Sequence, residues 1–524
     1  MGRRTENTMI SGTRRRIVLI GIILAVVSAF LLLRLYGIQI IDGDEYRRIT
    51  ESQYLVEVKG LTSRGRILDR NGRPIAGEIY EYYYFIERKK MGSDGTPGKL
   101  LTHIGAEDVT YTSDIYKVYK TTNYDVDVCK TLKEKYGAYV IRLLEGRGEE
   151  KVAENLIGSI DEDTGDGASG LELAFDKELK GENTKISLMA DSAGNLIKGY
   201  GPIIDRGKES VEVWEAYGAA GDGKGNDITT CLDLELQRKC EAVIDGQPLK
   251  EGHEAVCIVT DTDTGEIVAM AQKESGEKVN PALERELSIG TMGEFIVFAC
   301  ALEKGFIKDE EELQTLDSEV ISGLAAQMGY DAVLEKCYKL GFGQLCLDIF
   351  PEEAAGFLPY SEDMNLQKTE QITAAANPIK ATPIQMAKAA TIIADGGRAL
   401  DLKLLARQGE DSQCEESEEH RAFDEDAVEK AVKTFQAASK IGEDRMMKVM
   451  NLENIFAWES EDDGDDVRNY WCAGELKGRL GEDATAGGAG NSEAADDRYT
   501  ILVVVRGGIE CEAIAENIFL GACS

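Results

Sequence analysis

Residues 17–33 form an unbroken run of 17 uncharged, mostly apolar residues rich in Ile, Leu and Val. A run of that length is at the short end of what crosses a bilayer as a helix. Leu35, Tyr36 and Ile38 extend it, and Arg34 is long enough to reach the interface with its charged head. Arg3, Arg4, Arg14, Arg15 and Arg16 precede it. Basic residues stay on the cytoplasmic side, so residues 1–16 read as a cytoplasmic tail and residues 17–40 as a single-pass membrane anchor. The bulk of the chain then lies outside the membrane. Val27-Ser28-Ala29 resembles a signal-peptidase site, but the apolar run continues through Leu33, which suits an uncleaved anchor better.

The remaining residues are too many for one ordinary core and call for two or more domains. Lys and Arg number 59 against 95 Asp and Glu, a formal charge of −36. Such a surface repels nucleic acid, so no nucleic-acid partner is expected. The 11 cysteines are scattered without C-x-x-C pairs, and the three histidines are His103, His253 and His420. No zinc-like spacing results, and neither a metal nor a cofactor is expected. Cysteines in apolar runs, such as Cys257 and Cys300, read as core residues rather than disulfide partners.

Residues 80–85 form an aromatic run that reads as a strand, followed by helical patterns over 126–156 and a Gly/Asp-rich loop at 161–170. A Gly/Ala-rich stretch at 217–226 reads as a linker. It divides a domain at 41–216 from a compact domain at 227–524. Within the latter, residues 255–260 and 266–270 read as a hairpin around Asp261-Thr-Asp-Thr-Gly265. An EF-hand calcium loop starting at Asp261 would need Glu at its twelfth position, where Gln272 stands. Residues 401–470 and 479–497 are dense in Asp, Glu and Gly and read as solvated loops and helix faces. Residues 499–506 (YTILVVVR) read as a buried strand and 510–520 as a closing helix.

Several stretches, in order, resemble class B penicillin-binding proteins. Residues 34–46 resemble the family's segment leaving the membrane, and Arg64-Gly-Arg-Ile-Leu-Asp-Arg-Asn-Gly-Arg-Pro-Ile-Ala76 its R-G-x-I-x-D-R-N-G-x-x-L-A motif. Ala168-Ser-Gly-Leu-Glu172 resembles S-G-[LI]-E, and residues 228–237 (ITTCLDLELQ) resemble L-T-I-D-x-x-L-Q. Residues 255–271 match the hairpin containing T-G-E-I-x-A-M. Leu340-Gly-Phe-Gly343 and Ala381-Thr-Pro-Ile-Gln-Met-Ala387 match G-F-G and T-P-x-Q-x-A. The resemblance implies an α+β fold. It comprises the transmembrane helix, an elongated mixed α/β pedestal that resembles a dimerisation domain, and a C-terminal transpeptidase-like domain of serine β-lactamase type. In that domain an antiparallel sheet lies between helices. The family's active members cross-link peptidoglycan stem peptides through an acyl-serine.

That chemistry needs three elements, and none stands here intact. The family's S-x-x-K sets serine and lysine one helical turn apart, so that the amine helps take the proton. In Ile289-Gly-Thr-Met-Gly-Glu294 the serine place holds Thr291 and the lysine place Glu294. Threonine keeps a hydroxyl behind a stiff methyl; a carboxylate of pKa ~4.3 is a feeble base at neutral pH. Counting back from Leu324-Ala-Ala-Gln-Met-Gly329 puts S-x-N on Leu316 and Ser318, the latter reading as a helix cap. After Ala473-Gly474, the places of K-T-G-[TS] fall on Glu475, Leu476, Lys477 and Gly478, where Glu475 would repel a substrate carboxylate. The expectation is a pseudo-transpeptidase that binds cell-wall synthesis proteins in the membrane. The alternatives are a D,D-transpeptidase using Thr291, and a binder of stem peptide or β-lactam without turnover.

Overall fold

The computed structural model describes residues 3–36, 55–75, 78–91, 96–109, 116–147, 152–161, 166–189, 203–205, 210–212, 225–274, 279–307, 318–359, 378–406, 421–438, 452–461, 467–478, 497–508 and 510–523. Helix α1 (Arg3–Tyr36) leads into β1 (Leu55–Arg64), β2 (Ile67–Leu68), β3 (Glu78–Glu87), α2 (Thr96–His103), β4 (Glu107–Val109), β5 (Tyr116–Thr121), α3 (Val126–Tyr136) and β6 (Tyr139–Arg147). Next come α4 (Glu154–Ile157), α5 (Gly170–Ala174), α6 (Asp176–Leu179), β7 (Lys180–Met189), β8 (Ile203–Asp205), β9 (Ser210–Glu212) and β10 (Ile228–Thr229). The remainder runs α7 (Leu234–Asp245), β11 (Glu254–Asp261), β12 (Ile267–Lys273), α8 (Pro281–Glu284), β13 (Leu287–Ser288), α9 (Met292–Glu303), α10 (Ser318–Met328), α11 (Tyr330–Lys339), β14 (Lys380–Ala381) and α12 (Pro383–Ala394). It ends with α13 (Glu425–Ala438), β15 (Leu452–Glu461), β16 (Arg468–Lys477), β17 (Arg498–Gly507) and α14 (Cys511–Cys523).

The chain divides into two compact units. The first gathers residues 1–63, 80–145 and 182–224, with sheets ordered β4-β5-β3-β6 and β1-β7-β8-β9. Within α1, Val18–Tyr36 is long and apolar enough to cross a bilayer, with a mean hydropathy of 2.8. The aromatic run lies in β3, where Tyr84 and Ile86 are buried against Leu101 of α2 and Leu132 of α3. The helical pattern over 126–156 breaks at Gly137, whose left-handed backbone (φ 60°) caps α3 and returns its N–H to Leu132 and Lys133. Tyr-Val-Ile then continues as β6, a strand where a helix was expected, because β-branched residues favour the pleated surface beside β3.

The second unit gathers residues 64–79, 146–181 and 225–524. A single cut at 217–226 does not reproduce this division; of that stretch, 217–224 lie outside the described residues. The segments of the second unit are fastened to one another through the motifs. Arg64, 7% exposed, donates from Nε to Glu172 Oε2 at 3.0 Å and from Nη1 to Asp176 at 2.6 Å. Arg66 holds Asp227 Oδ2 at 2.7 Å, and β2 pairs in parallel with β10. A buried ion pair such as Arg64–Glu172 fixes which segments meet more than it adds net stability.

The core of this unit is a five-stranded sheet ordered β12-β11-β17-β16-β15, antiparallel throughout. Alternation along β11 sends Val256 and Ile258 to one face and Ala255, Cys257 and Val259 to the other. The first face packs on α9, α12 and α13, the second on α7 and α14. Both faces are therefore covered, which is why β11 and β17 read as continuous apolar runs. The expected hairpin is β11–β12. Its turn is closed by Asp261 Oδ1, which accepts from the amides of Asp263 and Thr264.

The acidic stretch 401–470 contains more order than its composition implies. α13 turns Val428, Ala431 and Val432 inward while Asp426 and Glu429 pair outward with Lys430 and Lys433. β15 forms the sheet edge. Residues 479–496 lie outside the described residues. The ten described cysteines are buried; desolvation pushes the Cys337 thiol up to about 12.

Candidate functional site

Helix α9 begins directly after Thr291, at Met292. Gly290 sits in the left-handed region (φ 55°) against β15. A Cβ placed there would stand 2.6 Å from Glu459 O and 2.6 Å from Ser460 Cβ. The entry into α9 is thus pressed onto the edge strand at Glu459–Ser460. Thr291 is half-buried, and its side chain makes no capping hydrogen bond. Its carbonyl accepts from the Glu294 amide at 3.0 Å, so Glu294 lies one turn into the helix, where its side chain is buried.

Ser460 is buried, and its Oγ accepts from Trp471 Nε1 at 3.0 Å and from Asn469 Nδ2 at 3.2 Å. These two residues on β16 hold the hydroxyl of β15 from the neighbouring strand. The structure therefore sets the start of α9, at Gly290, against Glu459 and Ser460. The last two were not legible as site residues. They lie two strands before the strand at 499–506, and counting back along an antiparallel meander from that strand would have found them.

Glu475, Leu476 and Lys477 lie instead on β16, one strand in from β15, with Gly478 just beyond. Glu475 is buried and its Oε1 receives Arg498 Nε from β17 at 2.6 Å. Its charge is matched there by the Arg498 guanidinium. Leu476 turns to the opposite face, into the core lined by α7 and α14. Gly478 donates to Asp497 O at 2.8 Å. Leu316 lies outside the described residues; Ser318 opens α10.

Among the described residues no lysine is placed beside Thr291 by any hydrogen bond or ion pair, and Glu294 stands one turn further along α9. The buried lysines among the described residues are engaged elsewhere. Lys336 donates to Ala422 O at 2.7 Å and pairs with Glu303, and Lys388 pairs with Asp401 at 2.8 Å. Burial opposes the charge of Arg498, but the hydrogen bond and charge of Glu475, and then Asp395, outweigh it and raise its pKa further.

The family described as penicillin binding protein transpeptidase domain matches residues 317–449, about a quarter of the chain. Penicillin-binding protein PbpB of Mycobacterium tuberculosis is 22% identical over 454 residues, covering 70% of this chain and 64% of that protein. The chain spans 36% to 64% of the length of three curated relatives that it matches. Penicillin-binding protein 2X of Streptococcus thermophilus superposes with a TM-score of 0.60 at 17% identity, over 89% of this chain and 79% of that chain. A chain from a peptidoglycan synthase complex superposes with a TM-score of 0.60 at 16% identity, over 97% of this chain and 98% of that chain. With the motif order, the helix–sheet–helix layers and a helix start seated on the edge strand, these likenesses identify the chain as a class B penicillin-binding-protein-like protein with a transpeptidase-type fold.

Proposed function

We propose that this chain is a membrane-anchored, non-acylating component of peptidoglycan synthesis that works by binding partners rather than by turnover. The observation that supports the reading is that Glu294, at the place where the family resemblance expects an amine, is a buried carboxylate one turn into α9. Losing the base of a nucleophile–base pair removes several orders of magnitude in rate. Thr291 alone, without an activating base, is a weak nucleophile. The five arginines before the apolar part of α1 favour a cytoplasmic N-terminus and an outer location for both units. The partners would be cell-wall synthesis proteins in the same membrane.

The test is covalent labelling of the detergent-solubilised full chain with a fluorescent penicillin, next to an active family member. No label on a protein shown to be folded by its thermal melt supports the reading. Label that disappears in Thr291→Ala overturns it and establishes a threonine acyl-enzyme.

A second reading is binding of stem peptide or β-lactam without turnover. The neutralisation of Glu475 by Arg498 favours it, because that carboxylate then presents no uncompensated charge to an anionic ligand. Equilibrium titration with stem peptide separates the two readings, and a flat response at millimolar ligand removes the second.

A further inference from the structure

Three cysteines converge on one face of the five-stranded sheet in the second unit. The pleat of β11 turns Cys257 toward α7 and α14, between Ala255 and Val259. Gln237 fixes α7 on this sheet. Its Nε2 donates to Met270 O at 2.9 Å, and its Oε1 accepts from the Met270 amide at 2.7 Å. Met270 pairs with Ile258, the neighbour of Cys257 on β11. Cys240 follows Gln237 by about one turn on the same side of α7 and is buried. The end of α14 closes the group: a Cβ on Gly521 would stand 2.6 Å from Val243 Cγ1, so this end is pressed on α7 about one turn from Cys240.

The side chains meet accordingly. The Cys257 thiol hydrogen-bonds the Cys240 thiol, and Cys523 lies within electrostatic reach of both. Cys240 and Cys257 are fully buried, whereas Cys523 is 7% exposed. Two further cysteines on this face stand apart. Val503 of β17 separates Cys472 from Cys257, two strand spacings or about 10 Å. Cys511 is at the opposite end of α14, about 18 Å from Cys523, with its Sγ 3.6 Å from His253 Nδ1. A disulfide needs Cα atoms within about 7 Å of each other, so neither of these two can join the group.

We propose that Cys240 and Cys257 form a modification site, a dithiol that a low-molecular-weight disulfide oxidises to an intramolecular disulfide, with Cys523 as the entry thiol. Cys523 attacks the small disulfide RSSR and releases the first RSH. Cys240 attacks the Cys523 sulfur and releases the second RSH as the R group leaves in exchange. Cys257 then displaces Cys523, which regains a proton. The two protein thiols lose two electrons and two protons, and RSSR gains them as two RSH. Contact with Cys240 and burial hold the Cys257 thiol well above the usual value, and burial pushes Cys523 up to about 12. Exchange is therefore slow at neutral pH, and the finished bond is shielded from reductant in solution. The bond joins α7 to β11 and constrains the unfolded chain, so the oxidised protein melts higher.

The experiment incubates the detergent-solubilised full chain with 2-hydroxyethyl disulfide below its melting transition. Remaining thiols are then alkylated under denaturation and the chain is digested without reductant. Trypsin cuts after Lys239 and Lys250, so Cys240 and Cys257 fall in different peptides and their link is read by mass spectrometry. The expected result is that linked pair, two fewer of the 11 cysteines alkylated, and reversal of both by dithiothreitol. The melt should rise by several degrees on oxidation and return on reduction. Cys257→Ala should abolish the link and the rise. Cys240→Ala should do the same, and it carries the test if the first variant does not fold. Cys523→Ala should reach the same link about tenfold more slowly, because the accessible attacking thiol is gone. Full alkylation after the oxidant overturns the proposal. So does a different pairing as the end product, a link that forms only in denaturant, or an unchanged rate in Cys523→Ala.

Discussion

Arg498 of β17 reaches Glu475 of the adjacent β16 at 2.6 Å, and the same guanidinium binds Asp263 in the β11–β12 turn and Asp395 after α12 at 2.9 and 3.1 Å. Its Nη2 also donates to Ala394 O. One side chain thus ties two strands, a turn and a helix end.

Arg498→Ala should lower stability by about 2–4 kcal/mol, less than a fully buried pair because the arginine is 26% exposed. Glu475→Gln should be milder, since the amide still accepts from Arg498. Chemical denaturation of both variants checks the order; equal losses would mean that the charge of Glu475 contributes nothing.

Gly290→Ala should be more damaging than an ordinary Gly→Ala change. The new Cβ would stand 2.6 Å from Glu459 O, and the backbone is left-handed. The strain of that backbone alone is about 1–2 kcal/mol. A melting temperature reduced by several degrees is the expected outcome, and an unchanged melt would show that α9 does not press on β15.

Asp69 gives a pH signature. Its burial opposes ionisation, but the backbone and side chain of Arg73 and the amide of Asn71 outweigh this, so its pKa is lowered. A lowered folded-state pKa stabilises fully above the unfolded value of 3.8, and this is lost as pH falls through the folded value. Asp69→Asn should therefore be less stable than the parent by about 1–2 kcal/mol at neutral pH. The difference should shrink below about pH 4. A gap that is constant with pH would assign the effect to shape instead of charge.

The strands β11 and β17 and the turn between β11 and β12 were legible because both sheet faces are buried and Asp261 closes the turn locally. The start of α12 was legible for a similar reason: Thr382 and Gln385 satisfy each other's backbone amides in a capping box over Pro383. β15 was not. Its sequence, LENIFAWESE, sits in an acidic stretch, and an edge strand is recognised by what packs on it. Local signals describe a segment's own geometry, whereas the meeting of Gly290 with β15 depends on residues about 170 positions away.

The pairing of Arg66 with Asp227 spans 161 residues. At a synthesis rate of about 5–20 residues per second, β2 waits roughly 8–32 seconds for β10 to be made. Through that interval Ile67 and Ile75, both buried in the finished core, lack the parallel partner β10 and the five-stranded sheet of the same core. The first part of the second unit is therefore an early-made piece of a late-folding body, and its apolar residues wait for their cover until the later segments are made.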